Sequence, residues 1–200
     1  MNIYIDMDGT IVNFMKGFQK ACNHLLTEDE WVKGEYSLKE VMGSHFAPGV
    51  MNSVRFWSTL EPYPFASTMI EFCKQVGEVW LITDCQSNPI VYSGKMVWLR
   101  EWMPEFAERV IVSGDRRWIH PSDLLIDDSD SHTLGYLVPR VWNSAHPLAK
   151  HNGGGFLDYS WSLDLEALSK VLIAKAFPPA TWIPQGLEGT NSALENGEVR

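Results

Sequence analysis

Ile3-Tyr4-Ile5-Asp6-Met7-Asp8-Gly9-Thr10 is an apolar run that ends in two carboxylates, followed at once by a glycine and a hydroxyl residue. The run is long enough for one buried strand. Two unpaired carboxylates at the end of such a strand would raise each other's pKa, because like charges would meet in a desolvated place. Mg²⁺ removes that conflict, since it binds one or two carboxylates together with water and substrate phosphate. The pattern favours a Mg²⁺ site for an anionic substrate, although a strand followed by a solvated Asp-Gly turn would use the same residues.

Two further apolar runs also end in polar residues. Val79-Trp80-Leu81-Ile82 stops at Thr83-Asp84, and Leu124-Leu125-Ile126 stops at Asp127-Asp128-Ser129-Asp130. Ligands of parallel sheets bind beyond the carboxyl ends of the strands. We therefore expect these acids and the Thr83 hydroxyl to converge with Asp6 and Asp8, although they are far apart in sequence.

The alternation of strand-like and helix-like segments predicts an α/β protein with a Rossmann-like, three-layer parallel sheet. After the first strand, the hydrophobic pattern predicts strands over residues 79–82, 109–113, 124–126 and 135–138, and helices over 11–26, 66–76, 89–103 and 163–176. Two capping-box patterns, Thr27-x-x-Glu30 and Ser37-x-x-Glu40, predict short helices between the first two strands. Gly153-Gly154-Gly155 predicts a turn rather than a phosphate-binding loop, because no G-x-x-x-x-G-K pattern follows it.

The D-x-D-G-T pattern after an N-terminal strand resembles motif I of the haloacid dehalogenase (HAD) superfamily, most of whose members are phosphatases. Thr83 matches motif II, whose hydroxyl binds the transferring phosphoryl group, and Asp127-Asp128 matches motif IV, which completes the metal site. The resemblance implies that Asp6 is the nucleophile and that Asp8 is the general acid and base. It also implies that Mg²⁺ is held by Asp6, the backbone carbonyl of Asp8, and Asp128, with Asp127 in support.

The same resemblance implies a division into domains. The HAD core would comprise residues 1–13 and 64–180, a small helical cap inserted after the first strand would comprise 14–63, and 181–200 would form a mobile C-terminal tail. In the family, a cap at this point closes over the active site and selects the substrate. Its aromatic residues are candidates for stacking on a base, although an aromatic at helical spacing more often belongs to a core. They are Phe14, Trp31, Phe46, Phe56 and Trp57, of which Phe14 and Trp57 are taken as substrate-binding.

Motif III of the family is a cation, usually a lysine, and this sequence offers several candidates. Lys95 lies in the helix after motif II, whereas Arg116 and Arg117 precede motif IV. We favour Lys95, with Arg117 next. An arginine in that place would bind phosphate as a planar fork rather than as a point charge. We expect Thr83, Asp84, Lys95 and Arg117 to contact the substrate.

Composition excludes several other classes. The chain has 200 residues, 45% of them hydrophobic, and nine tryptophans, so it can bury a sizeable core. Its formal charge of −9 disfavours stable binding of nucleic acid. Three widely spaced cysteines, without a C-x-x-C pair, favour a reducing compartment over a disulfide framework or a zinc site. A cysteine phosphatase is excluded because no arginine lies six residues after Cys85. Without a signal-peptide pattern or a long apolar segment, we expect a cytoplasmic protein, monomeric or homodimeric.

Within the superfamily, residues 2–145 most resemble the 5′(3′)-deoxyribonucleotidase branch. The resemblance rests on the D-x-D-G-T opening, the small insertion, Phe56-Trp57-x-x-Leu60-x-Pro62 and Leu-Leu-Ile-Asp-Asp. It implies a Mg²⁺-dependent 5′-nucleotidase of nucleotide metabolism, which hydrolyses (deoxy)nucleoside monophosphates through an aspartyl-phosphate. One alternative is a HAD phosphatase for another small phosphate ester or for a nucleic-acid 3′-phosphate end. A second is a non-catalytic HAD-fold binding module, although such a module would be expected to have lost Asp6 or Asp8.

Overall fold

A computed structural model describes residues 1–24, 39, 42–129, 135–140 and 165–176. This part of the chain is an α/β structure built on one parallel sheet. The predicted segments at Thr27 and Ser37, the glycine turn at residues 153–155 and the tail at 181–200 lie outside the described residues. Among the helices that are described, none has both the length and the apolar character needed to cross a bilayer.

The sheet has five parallel strands in the order β3-β2-β1-β4-β5. The strands are β1 (Asn2–Asp6), β2 (Glu78–Thr83), β3 (Val110–Val112), β4 (Leu124–Asp127) and β5 (Gly135–Leu137). In the centre, Ile5 of β1 is in register with Leu81 of β2 on one side and with Ile126 of β4 on the other. The three strands that carry the predicted site residues are therefore neighbours, and their carboxyl ends lie side by side. The α/β class and the all-parallel sheet are confirmed.

Four of the described helices follow the predicted segments, with shorter bounds, and the short helix at Val54–Ser58 was predicted only as part of a helical cap. They are α1 (Phe14–Ala21), α2 (Val54–Ser58), α3 (Ala66–Lys74), α4 (Pro89–Trp102) and α5 (Leu165–Ala176), with 3-10 turns at Gly43–His45, Pro48–Met51 and Pro104–Phe106. The prediction that the first helix begins at residue 11 is wrong. Asn13 is the N-cap of α1, because its side chain accepts a hydrogen bond from the Lys16 amide. The preceding Val12 instead forms an antiparallel bridge with Pro62.

The two faces of the sheet carry cores of different size. Ile3 and Ile5 belong to a large core that includes buried residues from α1 to α5, whereas Tyr4 and Leu125 belong to a small one covered by Ile119. This alternation follows from the pleat of the strands, which directs successive side chains to opposite faces.

Helix α2 packs closely against α4. Gly94 of α4 lies against α2, where an added Cβ would overlap Trp57 Cβ and lie 2.9 Å from the carbonyl oxygen of Val54. The indole Nε1 of Trp98 donates a hydrogen bond to the Leu60 carbonyl at 2.8 Å. Gly94 therefore sets the distance at which α2 sits on α4.

Substituting Gly94 with alanine should lower the free energy of unfolding by about 1–3 kcal/mol, the usual cost of overpacking a close contact. Alanine favours a helix over glycine by about 1 kcal/mol, so the clash has to exceed that gain. Denaturant unfolding measures the difference. The control is Ser93→Ala, at an exposed position of the same helix. A Gly94→Ala protein as stable as the Ser93→Ala protein would contradict this close packing.

Candidate functional site

A cavity of about 590 Å³ opens at the carboxyl ends of the central strands. Its floor holds Asp6 and Asp127, the last residues of β1 and β4, together with Asp8 and Asp128 from the loops that follow. The two aspartate pairs are about 120 residues apart in the chain, and the parallel register of β1 and β4 brings them together. The solvated-turn interpretation of the first pair does not apply, because Asp6 is only 8% exposed.

Three of these acids form a cluster that fits a divalent metal ion. One carboxylate oxygen from each of Asp6, Asp127 and Asp128 lies within 4.8 Å of the others, and all three residues are buried. Asp127 Oδ1 accepts a hydrogen bond from the Ser129 amide, while its buried Oδ2 has no hydrogen-bond partner. A buried carboxylate oxygen without a partner is costly unless a cation meets it. A hard-oxygen donor set of this kind suits Mg²⁺.

Burial and the neighbouring negative charges both act on the carboxyl of Asp6. Burial raises the pKa of this carboxyl well above its usual value, and the charges of Asp127 and Asp128 raise it further, whereas Arg116 opposes the rise. The nearby Asp8 adds a smaller contribution in the same direction. Ionisation of Asp6 therefore destabilises the folded state, and a bound cation would reduce this destabilisation.

Arg116, and not Arg117, is the arginine at the site. Its Nη2 donates to Asp6 Oδ1 at 2.6 Å, and its Nε lies 3.8 Å from Asp127 Oδ2. Another guanidinium nitrogen donates to the Ser113 carbonyl, which fixes the side chain against the end of β3. The Arg117 side chain is 91% exposed and pairs with Asp115, away from the cavity. The structure therefore does not place the predicted Arg117 where it could bind substrate, because adjacent residues of this turn point in different directions.

Lys95 lies behind Asp8. Its ammonium is within 2.5 Å of Asp8 Oδ2 and 2.6 Å of Thr83 Oγ1, and it also donates to the Asp84 carbonyl at 2.6 Å. Lys95 and Thr83 are 2% and 1% exposed, and neither lines the cavity. Lys95 is thus joined to the site through Asp8, and Thr83 through Lys95, and neither faces the cavity directly.

Asp84 reaches the mouth of the cavity by another route. It is exposed and lines the cavity, and its Oδ1 accepts a hydrogen bond from the Gln86 amide at 2.7 Å. Gln86 and Ser87 both have positive φ angles, so the chain turns sharply there before α4 begins. Asp84 therefore belongs to the exposed part of the cavity lining, whereas Asp6, Asp127 and Asp128 are buried.

The predicted aromatic contacts separate into two groups. Phe14 and Trp57 line the cavity and stack on each other, with centroids 5.4 Å apart and planes 15° apart. Trp57 is only 7% exposed and also lies 5.0 Å from the Lys95 ammonium, so it supports the cavity wall more than it offers a free face. Phe46 and Phe56 instead pack against Phe18 in the core. Trp31 lies outside the described residues.

The thiols lack the properties of a nucleophile. Burial raises the pKa of Cys73 to about 12 and is also the main cause of the raised pKa of Cys85. Both thiols would therefore be protonated at neutral pH, and the reactive species of cysteine is the thiolate. Neither of these thiols lines the cavity, so neither is a candidate nucleophile there.

The loop between Asp8 and Thr10 depends on a glycine. Gly9 has a φ of +79°, and a Cβ added to it would overlap the carboxylate of Asp128. Thr10 Oγ1 also donates to Asp128 Oδ1, at 3.3 Å. The glycine thus lets the loop after β1 approach Asp128 closely.

Gly9→Ala should weaken Mg²⁺ binding and destabilise the fold by about 1–3 kcal/mol, because it combines a positive φ with a steric clash. Titration calorimetry with Mg²⁺ and thermal unfolding measure the two effects. Gly43→Ala is a matched control, since Gly43 has a φ of +50° but nothing within 4 Å of its added Cβ. Equal effects of the two substitutions would mean that the contact with Asp128 is unimportant.

Sequence analysis missed one buried residue behind this loop. Arg140 follows β5, is 2% exposed, and donates to the carbonyls of Gly9 and Thr10. Its hydrogen bonds to Gly9 and Thr10 go to backbone carbonyls, which leave no trace in a sequence pattern. The sequence offered only a lone arginine shortly after a predicted strand.

Comparison of the chain with protein-family models and with curated proteins found no match.

Proposed function

We propose that this chain is a Mg²⁺-dependent phosphomonoesterase of the HAD type that hydrolyses (deoxy)nucleoside monophosphates through an aspartyl-phosphate. The observation that carries the proposal is the convergence of Asp6, Asp127 and Asp128 within 4.8 Å, with the guanidinium of Arg116 on Asp6. The acids supply metal ligands and a nucleophile, and the arginine supplies a charge for the phosphate. Both are needed before one carboxylate can approach an anionic phosphorus centre.

Asp6 is the proposed nucleophile. Its carboxylate lines the cavity and is fixed by Arg116, so one oxygen is oriented by a charged donor. In the first step this carboxylate forms a bond to phosphorus while the bond from phosphorus to the leaving oxygen breaks. Arg116 would hold the phosphate oxygens, on which charge accumulates in the transition state.

Asp8 is the proposed general acid and base. It is the more accessible carboxyl of the pair, with a side chain 25% exposed, and it lines the same cavity as Asp6. Protonated Asp8 would give its proton to the leaving oxygen, and ionised Asp8 would then take a proton from the water that hydrolyses the aspartyl-phosphate. Lys95, itself hydrogen-bonded to Thr83, positions Asp8 from behind, which makes Lys95 a positioning residue in this account.

Mg²⁺ would be held by Asp6, Asp127 and Asp128. When bound, it neutralises phosphate and carboxylate charge and so permits their approach. Asp127 Oδ2 has no hydrogen-bond partner and only a long ion-pair contact, at 3.8 Å, with Arg116 Nε, which makes Asp127 as good a ligand candidate as Asp128. In this proposal Asp127 is therefore a direct ligand, rather than only a support for Asp128.

The polarity of the cavity supports this substrate class, which the resemblance implies. One end holds the acids and Arg116, which suit a phosphate, and the walls include apolar residues suited to a planar ring. Amide groups border the opening, where Asn88 Nδ2 donates to Asn52 Oδ1 at 3.4 Å. A cavity of 590 Å³ is within the usual range for small-molecule sites of about 300–1,000 Å³. In this proposal residues 14–63 act as the cap that completes the cavity, through Phe14, Pro48 and Met51.

A panel of phosphate esters, assayed with Mg²⁺ and with EDTA, tests the function. We expect release of phosphate from deoxynucleoside monophosphates in Mg²⁺ and none in EDTA. Preference for a sugar phosphate, or for an oligonucleotide with a 3′-phosphate, would keep the chemistry but overturn the substrate class. No hydrolysis of any ester, with retained binding of a nucleoside monophosphate, would identify a binding module and overturn the enzyme proposal.

A further inference from the structure

We propose that Arg140 is a positioning residue, which fixes the loop carrying Asp8 and ties it to both chain segments that enter and leave the cap. As an account of catalysis, the inference rests on the proposed function. Its structural part, that one guanidinium holds the loop, stands without that function.

The guanidinium is arranged to hold two consecutive peptide groups. Arg140 Nε donates to the Gly9 carbonyl at 2.6 Å, and Nη2 donates to the Thr10 carbonyl at 3.1 Å. A charged donor makes a stronger hydrogen bond than a neutral one, and the rigid fork fixes the spacing of its acceptors. Because Gly9 directly follows Asp8, these bonds determine where the Asp8 backbone leaves the strand end.

The same side chain contacts the second cap linker, residues 61–65, through which the chain leaves the cap. Arg140 Cζ lies 4.3 Å from the ring centroid of Tyr63 and 5.4 Å from that of Phe65, and these two rings stack with centroids 5.2 Å apart. A guanidinium over an aromatic face is attracted by the ring quadrupole, most strongly where water is excluded. Arg140 is only 2% exposed, so this contact is desolvated.

The first cap linker, residues 9–13, and the second are themselves joined by backbone hydrogen bonds. The Tyr63 amide donates to the Ile11 carbonyl at 2.8 Å, and the Asn13 amide donates to the Glu61 carbonyl at 2.9 Å. Movement of one linker therefore moves the other. Arg140 is hydrogen-bonded to Gly9 and Thr10 of the first linker and packs on Tyr63 and Phe65 of the second. The geometry therefore indicates that Arg140 couples the position of the cap to the position of the loop that carries Asp8.

Arg140→Ala should lower kcat by about 10- to 100-fold with little change in KM, since a displacement of about 1 Å can cost a hundredfold in rate. Hydrogen exchange should accelerate at Ile11, Val12 and Tyr63, whose amides bond within the loop and between the linkers. Exchange at Leu81, within the sheet, should not change. Millimolar guanidinium chloride should restore part of the lost kcat, because the ion can occupy the vacated position.

Arg100→Ala is the control, since Arg100 is exposed on α4. An Arg140→Ala protein with the kcat and the local exchange of this control would overturn the proposal. If Arg140→Ala does not fold, Arg140→Lys takes its place, because a lysine keeps the charge but can satisfy only one of the two carbonyls in the same geometry. A wild-type kcat and exchange pattern in Arg140→Lys would equally overturn it. If the wild-type chain hydrolyses no phosphate ester, the proposed function fails, while the exchange experiment still decides whether Arg140 holds the loop.

Discussion

Asp6→Asn is expected to lower kcat by at least about a thousandfold, as removal of a nucleophile typically does. The amide is close to the carboxylate in shape, but it is not an anion and cannot form the bond to phosphorus. It also cannot replace a carboxylate as an anionic metal ligand. Phosphate release from the preferred substrate of the panel measures the loss.

The control for this substitution is Asp123→Asn. Asp123 is buried to the same extent, with 8% exposure for each residue, but it accepts hydrogen bonds from Asn2 at the opposite end of β1. Asp123→Asn should therefore keep its kcat. An Asp6→Asn enzyme with full activity would exclude Asp6 as the nucleophile, and equal losses in both variants would mean that the fold, not the chemistry, had been damaged.

The same substitution should stabilise the protein in EDTA at neutral pH. The pKa of Asp6 is raised in the folded state by burial and by Asp127 and Asp128, so the folded state holds the Asp6 proton more tightly than the unfolded state does. Stability contributed by this carboxyl is present below its usual pKa of 3.8 and is lost as the pH rises toward the folded-state value. Asparagine carries no such penalty, because it does not ionise.

Denaturant unfolding of both proteins between pH 3.5 and pH 7 measures this effect. The advantage of Asp6→Asn should be small at the acidic end and should grow with pH. Added Mg²⁺ should then stabilise the wild type more than the variant, because only the wild type offers all three carboxylates. A wild type that is more stable than the variant in EDTA at pH 7 would show that the ion pair with Arg116 outweighs the burial of Asp6.

The sheet was predictable from sequence because its central strands are buried on both faces. Such strands read as continuous apolar runs, and the runs at Ile3, Val79 and Leu124 stop where the strands stop, within one residue. The order of the strands was not predictable in this way, because pairing between strands distant in the chain leaves no local pattern. The start of α1 was mispredicted for the same reason: Val12 is apolar like a helix residue, but its partner is Pro62.

The site was predictable as far as it depends on strand ends. Lys95 was predicted from the resemblance alone, as a cation in the helix after the Thr83 strand, and in the structure it shares the buried stripe of α4 with Val91 and Trp98. Arg116 and Arg117 could not be distinguished, since a turn has no periodicity that tells which of two adjacent side chains is buried. Only the position of the turn relative to β1 settles which one meets Asp6.

Arg116→Ala is expected to lower kcat/KM by about 10²–10³-fold, the usual loss when a preorganised charge at a transition state is removed. The Arg116 guanidinium is the group bonded to Asp6, and its side chain is 7% exposed, so its electrostatic effect is little screened by water. Arg117→Ala, at the neighbouring but exposed position, should change kcat/KM less than twofold. The pair provides its own control, because both substitutions remove one positive charge from the same turn.

Mg²⁺ affinity should change in the opposite direction. Arg116 lies on Asp6 and near Asp127, two of the three acids that fit the metal, so it competes with Mg²⁺ for their negative charge. Arg116→Ala should therefore bind Mg²⁺ more tightly in titration calorimetry while it turns over substrate more slowly, whereas Arg117→Ala should match the wild type in both. Weaker Mg²⁺ binding in Arg116→Ala would mean that the arginine organises the acids rather than competing for them. An unchanged kcat/KM would leave Lys95 as the cation that the reaction requires, the assignment that the sequence alone had favoured.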